Sequence, residues 1–218
     1  NGILYIGSLD RHVYALNASN GKQIWNFTAG DIVISSPAIS DNIVYVGSYD
    51  GNLYALEAAT GALAWNYSTG GNISSSPAVA KGIVYVGSGD GKVYAIDART
   101  GKYIWSYQTS GEVASSPAIT KDLLFVGSYD GKIYALNILN GNLVWSYLTG
   151  DVIVSSPAVA NGVVYVGSYD HLVYAFGIEN GQQKPADSIP TTLIFTVSLV
   201  TLIVVLLVIY LLKRKRWL

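Results

Sequence analysis

A forty-residue period constrains this 218-residue chain more than any other feature. Gly7, Gly47, Gly87, Gly127 and Gly167 recur in a YxGS-like context, and Asp10, Asp50, Asp90, Asp130 and Asp170 follow each by three positions. Trp25, Trp65, Trp105 and Trp145 keep the same spacing, as do Pro37, Pro77, Pro117 and Pro157 within SSPA. No insertion interrupts the register between them. A fixed period of this size means that each unit is one supersecondary module, unable to bury its faces alone and stacked against its neighbours.

Each unit reads as short strands rich in Val, Ile, Tyr and Trp, separated by polar, glycine-containing turns. Alternation puts Val84, Val86 and Ser88 on one face and Tyr85 and Gly87 on the other, the period of two of a pleated strand. Asp50-Gly51, Asp90-Gly91 and Asp130-Gly131 sit between two such strands and predict tight hairpins. Thr100-Gly101-Lys102 and its counterparts separate the third strand from the fourth. Four antiparallel strands every forty residues is the size of one propeller blade, so the expected fold is an all-β propeller with about four and a half repeats visible. Trp25, Trp65, Trp105 and Trp145, the largest apolar side chains of their units, are expected as docking residues that fill the wedge between blades.

The segment Ala95-Ile-Asp97-Ala-Arg-Thr100-Gly101-Lys102-Tyr-Ile-Trp105, with its copies ALEAATGALAW, ALNILNGNLVW and ALNASNGKQIW, resembles the tryptophan-docking motif of pyrroloquinoline-quinone-type (PQQ-like) propellers. The resemblance spans residues 1 to about 177. That family takes in quinone-dependent dehydrogenases, a non-catalytic outer-membrane assembly factor and many surface proteins, so the fold alone does not choose a function. The dehydrogenase members imply a calcium site of acidic and amide side chains and an Asp base, with a disulfide of adjacent cysteines in the alcohol dehydrogenases. This chain has no Cys, which excludes disulfides and thiolate chemistry. Its acids lie mainly at repeated turn positions, where backbone chemistry explains them. Every loop up to residue 177 is minimal, whereas catalytic groups tend to sit on elaborated loops. His12 and His171 occupy non-equivalent positions on different repeats. No catalytic residue, cofactor or metal site is therefore expected; PQQ and calcium enter only under an alternative dehydrogenase reading.

Counting motifs gives three strands in the first unit, four in each of three full units and three in the last, where position 185 is Pro rather than Trp. The first unit lacks its SSPA strand. The ring is accordingly expected to be incomplete, with a missing N-terminal portion that supplies at least that strand and the one that closes the last blade.

Residues 178–190 turn polar and carry two prolines, reading as a linker. Residues 191–212 contain no charge and, at about 1.5 Å per residue, would reach about 33 Å, enough to cross a bilayer as one transmembrane helix. Lys213, Arg214, Lys215 and Arg216 follow within a basic tail, 213–218. The excess of positive charge there places the tail in the cytoplasm and the propeller outside the cell. Residues 1–190 hold nine bases against fourteen acids, a charge of −5 that offers no nucleic-acid footprint. Sequons at Asn17, Asn26, Asn66 and Asn72 are candidate N-glycosylation sites that suit an exported domain. The leading expectation is a non-enzymatic, single-pass membrane protein whose propeller binds a protein or an envelope glycan. Tyr49, Tyr129 and Tyr169, which precede the turn Asp where Leu9 and Gly89 stand in other repeats, form its candidate binding rim.

Overall fold

The computed structural model describes residues 2–179 and 182–185, and the elements within them are all strands and turns. Five antiparallel meanders succeed one another. Blade 1 holds β1 (Ile3–Gly7), β2 (His12–Asn17) and β3 (Gln23–Thr28). Blade 2 holds β4 (Ala38–Ser40), β5 (Ile43–Gly47), β6 (Asn52–Glu57) and β7 (Leu63–Ser68). In blade 3 the four strands are β8 (Ala78–Ala80), β9 (Ile83–Gly87), β10 (Lys92–Asp97) and β11 (Tyr103–Gln108). Blade 4 repeats this as β12 (Ala118–Ile119), β13 (Leu123–Gly127), β14 (Lys132–Asn137) and β15 (Leu143–Leu148). Blade 5 ends with β16 (Ala158–Ala160), β17 (Val163–Gly167), β18 (Val173–Glu179) and β19 (Gln182–Pro185). Strands within each sheet pair in chain order. The short strands β4, β8, β12 and β16 lie next to one another from blade to blade, so they form the inner edge of the arc.

Blade 5 departs from the sequence expectation. The polar stretch after Gly177, read as a linker from 178, instead extends β18 to Glu179 and adds β19, with Phe176 opposite Pro185 and Gly177 opposite Lys184. The described residues thus hold nineteen strands rather than eighteen. Proline is tolerated here because β19 is an edge strand and Pro185 is its last residue. Among the described residues, blade 1 is a three-stranded sheet. The expected membrane-spanning segment 191–212 and tail 213–218 lie outside the described residues, among which no helix is long and apolar enough to cross a membrane.

The core sits between blades rather than within them. Tyr45, Leu53, Ala55 and Ile73 of blade 2 and its outgoing loop pack against Val84, Val86, Tyr94 and Ile96 of blade 3. The same two faces meet at the other three junctions. Alternation along each strand sends Val84 and Val86 backward and Tyr85 forward, so both faces of an interior sheet are covered. A register shift between Ala95 and Ile96, repeated after Ala15, Ala55 and Ala135, sets the Trp-bearing outer strand. Close approach explains the repeated glycine of YxGS. A Cβ on Gly127 would collide with the Ile153 side chain, and one on Gly87 with Val113, both from the loop leading to the next blade.

Candidate binding rim

The hairpins between the second and third strands of each blade share one face of the arc with the loops that cross from blade to blade. In blade 2 the Gly51 N–H donates to Ser48 O at 3.1 Å and the Ser48 N–H to Asn52 O at 3.0 Å. Of the Asp-Gly pair only the glycine is left-handed, with φ of 83° at Gly51, 82° at Gly91 and 79° at Gly131. The hairpin is therefore a turn followed by one left-handed residue, one position longer than a two-residue loop. Arg11 and His171 fill that position in blades 1 and 5, at φ 73° and 70°.

The aspartate before that glycine joins two blades. Asp50 accepts from the Asn52 amide at 2.8 Å and from the Tyr54 hydroxyl at 2.7 Å within its own blade. It also accepts from the Gly30 amide of the incoming loop at 2.7 Å. Asp90, Asp130 and Asp170 repeat this link with the amides of Gly70, Ser110 and Gly150. Burial would raise the Asp50 carboxyl, but the three donors outweigh it and hold the group below its ordinary value. Burial and the neighbouring carboxylate push the Tyr54 phenol up to about 12. The periodicity marks Asp50 as a turn residue but hides its reach to Gly30, twenty residues back and on a different element.

On the opposite face the tryptophans dock. The Trp25 indole N–H donates to Ala58 O at 3.0 Å in the next blade, and Trp65 and Trp105 bond Ala98 O and Ile138 O in turn. Each ring lies over the glycine of the following turn, where a Cβ on Gly61 would stand 2.7 Å from Trp25 and one on Gly141 2.5 Å from Trp105. Tyr5, Tyr45 and Tyr85 hydroxyls donate to the same three carbonyls. Trp145 packs between Phe125 and Phe176. Along the inner edge, the amides of Ser36, Ser76 and Ser116 donate to the hydroxyls of Ser76, Ser116 and Ser156, a ladder that steps one blade at a time. The SSPA repetition carried this signal, but a small polar pair in a repeat does not say which neighbour it bonds.

What remains outward is the rim. Tyr129 and Tyr169 are exposed, Tyr49 is half-buried, and Leu9 of blade 1 is exposed. Their backbones are fixed: the Tyr49, Tyr129 and Tyr169 amides donate to the incoming-loop carbonyls of Ile32, Glu112 and Val152 at 2.9–3.0 Å. Gly89 interrupts the series, and the Asn72 Oδ1 occupies the space that a Cβ there would take. Beside it a depression of about 210 Å³ opens between residues 89–91 and 108–112. Of the sequons, Asn26 and Asn66 are exposed on the outer strands β3 and β7, pointing away from the neighbouring tryptophans. Asn17 and Asn72 are half-buried, Asn17 accepting from Ser19. His12 rests against Asp10 and stacks on Tyr14, while His171 stands in the blade 5 hairpin. No group of three His, Cys, Asp or Glu that could hold a metal ion gathers among the described residues.

The family described as outer membrane protein assembly factor BamB matches residues 1–73 and 68–194. The chain belongs to that family. No curated protein sequence matches it. Among solved structures, BamB from Moraxella catarrhalis superimposes with a TM-score of 0.72 at 22% identity, over 84% of this chain and 60% of that one. This BamB-family chain thus spans about three fifths of that relative. The computationally designed Ika8 protein superimposes with a TM-score of 0.74 at 22% identity, over 82% of this chain and 56% of that one. The quinohemoprotein alcohol dehydrogenase of Comamonas testosteroni does so with a TM-score of 0.70 at 21% identity, over 81% and 40%. At these identities the likenesses carry the propeller fold alone.

Proposed function

We propose that this chain is a non-enzymatic binding scaffold, a propeller held at the outer side of a membrane by residues 191–212, which presents its hairpin rim to a protein or an envelope glycan. The observation that carries this reading is where the repeated polar side chains are spent. Asp50, Asp90, Asp130 and Asp170, the indoles of Trp25, Trp65 and Trp105, and the amides of Ser36, Ser76 and Ser116 all bond neighbouring blades, and every buried side-chain N or O among the described residues has a partner. Such a frame leaves the rim free to vary, and at positions 49, 129 and 169 tyrosines offer large contact area at low entropic cost. The family's description as an assembly factor points the same way.

The test replaces Tyr129 and Tyr169 with a photo-crosslinking residue in the full chain, in its native membrane. A discrete envelope protein or glycan captured at the rim, and absent when the same probe is placed at exposed Ile104 on β11, supports the proposal. Quinone-dependent oxidation of alcohols or sugars by the purified chain, with PQQ and calcium added, would overturn it. A chain that stays membrane-bound after deletion of residues 191–218 would refute the anchor.

A further inference from the structure

Asn66 lies on β7, the outer strand of blade 2, with blade 1 on one side of it and blade 3 on the other. It is the first residue of the sequon Asn66-Tyr67-Ser68, and β7 holds all three residues extended. Residues two apart in a strand share a face, so the asparagine and the serine hydroxyl are presented together. A single atom shows this: Asn52 Oδ1 on β6 accepts from Asn66 Nδ2 at 3.3 Å and from Ser68 Oγ at 2.5 Å. Trp65 and Tyr67 turn to the other face and pack against blade 3, while Asn66 and Ser68 are both exposed. An amide nitrogen carries two hydrogens, and the bond to Asn52 uses one of them. The other can be replaced without breaking that bond. Asn72, in the next sequon, is half-buried instead, with its Oδ1 in the space that a Cβ on Gly89 would take.

We propose that Asn66 is an N-glycosylation site. The modification rests on the outer placement of the propeller proposed above, since sequons serve as acceptors in exported chains. The donor is an oligosaccharide carried on a lipid-linked phosphate. Asn66 Nδ2 forms the bond to the anomeric carbon of the sugar, and the bond from that carbon to the phosphate oxygen breaks. The phosphate leaves with the electron pair, and the displaced amide proton passes to it. Because Asn66 is exposed with both neighbouring blades already beside it, the glycan projects from the wall of the arc and leaves the two junction cores in place. β7 is also the last strand of its sheet, an edge that offers backbone groups to any further strand. A bulky hydrophilic group on that strand blocks such pairing.

The test purifies the full chain from its native membrane and fragments its peptides by electron transfer, which leaves a sugar on its asparagine. An oligosaccharide should be found on Asn66. Asn66→Gln and Ser68→Ala should each lower the intact mass by that oligosaccharide, while Ser68→Thr, which keeps a hydroxyl at that position, should retain it. Unchanged circular dichroism confirms that each variant is folded. Protease treatment of intact cells separates this proposal from the placement on which it rests. A bare Asn66 in a propeller that the protease digests overturns the glycan and leaves the outer placement standing, whereas a bare Asn66 in a protected propeller overturns both. A sugar on Asn72 with none on Asn66, or a sugar on Asn66 that survives Ser68→Ala, would also overturn the assignment.

Discussion

Blades 2 to 4 and the two outer blades are written in the same forty-residue pattern, yet the same side chains do different work in each. Val93 and Val173 are equivalent residues at equivalent points of a hairpin, one at 0% exposure and the other at 75%. Gly87 and Gly127 are crowded by the loop that follows them, while among the described residues Gly167 meets only Ser155, at 3.5 Å. In a propeller, then, a residue's energetic weight is set by whether a neighbouring blade stands against it. Stability is a sum over junctions, and a sheet with one bare face carries half the burial of an interior one.

The largest break of that comparison is steric. Gly127→Val forces its branched side chain into Ile153, and should cost about 3 kcal/mol or more in denaturant unfolding. Gly167→Val meets no such neighbour among the described residues and should change stability by less than about 0.5 kcal/mol. Equal losses at the two sites would show that the glycine is needed for backbone conformation rather than for blade approach. Next in size is truncation: Val93→Ala should lose about 2 kcal/mol, Val173→Ala less than about 0.5. A comparable loss at Val173 would mean that the forward face is covered.

The hairpins sharpen the comparison with the opposite sign. His171 holds φ 70°, a conformation that disfavours side chains with a Cβ. His171→Gly should therefore stabilise blade 5 by about 0.5–1 kcal/mol, read as a higher unfolding midpoint. The reverse change in the interior, Gly91→His, should destabilise, because a Cβ there would come within 2.9 Å of Gln108 Nε2 and 3.1 Å of Gly111 O.

Much of this architecture was legible because the period repeats large, chemically distinctive residues. Trp25 to Trp145 and the YxGS glycines identify a blade, and alternation around Val84 and Tyr85 assigns its faces. Less visible were contacts whose partners fall off the period. Asp50 reaches Gly30 across a blade boundary, and Ser36 reaches Ser76 through a backbone amide that no residue type announces. The strand β19 was hidden for another reason: Gln182–Pro185 has neither the aromatic nor the alternating pattern of the other outer strands, and it pairs along the existing edge of β18. The rim tyrosines are placed by the sequence, but their exposure differs because Tyr49 is half-buried while Tyr169 stands on the last blade at 62%.

The smallest effect concerns pH and separates Asp50, which links two blades, from Asp10, which among the described residues bonds only within its own hairpin. Asp50 is held below its ordinary value, so its contribution is fully present above about pH 4 and is lost as pH falls through the lowered folded value. Tyr54→Phe removes one of the three donors, moving the Asp50 carboxyl back toward its ordinary value. The decline in stability below about pH 4 should then become shallower, and stability at pH 7 should drop by about 1 kcal/mol or less, since the pair is partly solvated. Asp10 is pulled down to about 2, chiefly by the Tyr14 hydroxyl, but it stands in solvent and anchors only its own hairpin. Tyr14→Phe should therefore alter the local titration of Asp10, visible by NMR, while leaving the acid unfolding profile of the whole arc unchanged. If the two variants shifted that profile equally, the cross-blade bond to Gly30 would add nothing to the cohesion of neighbouring blades.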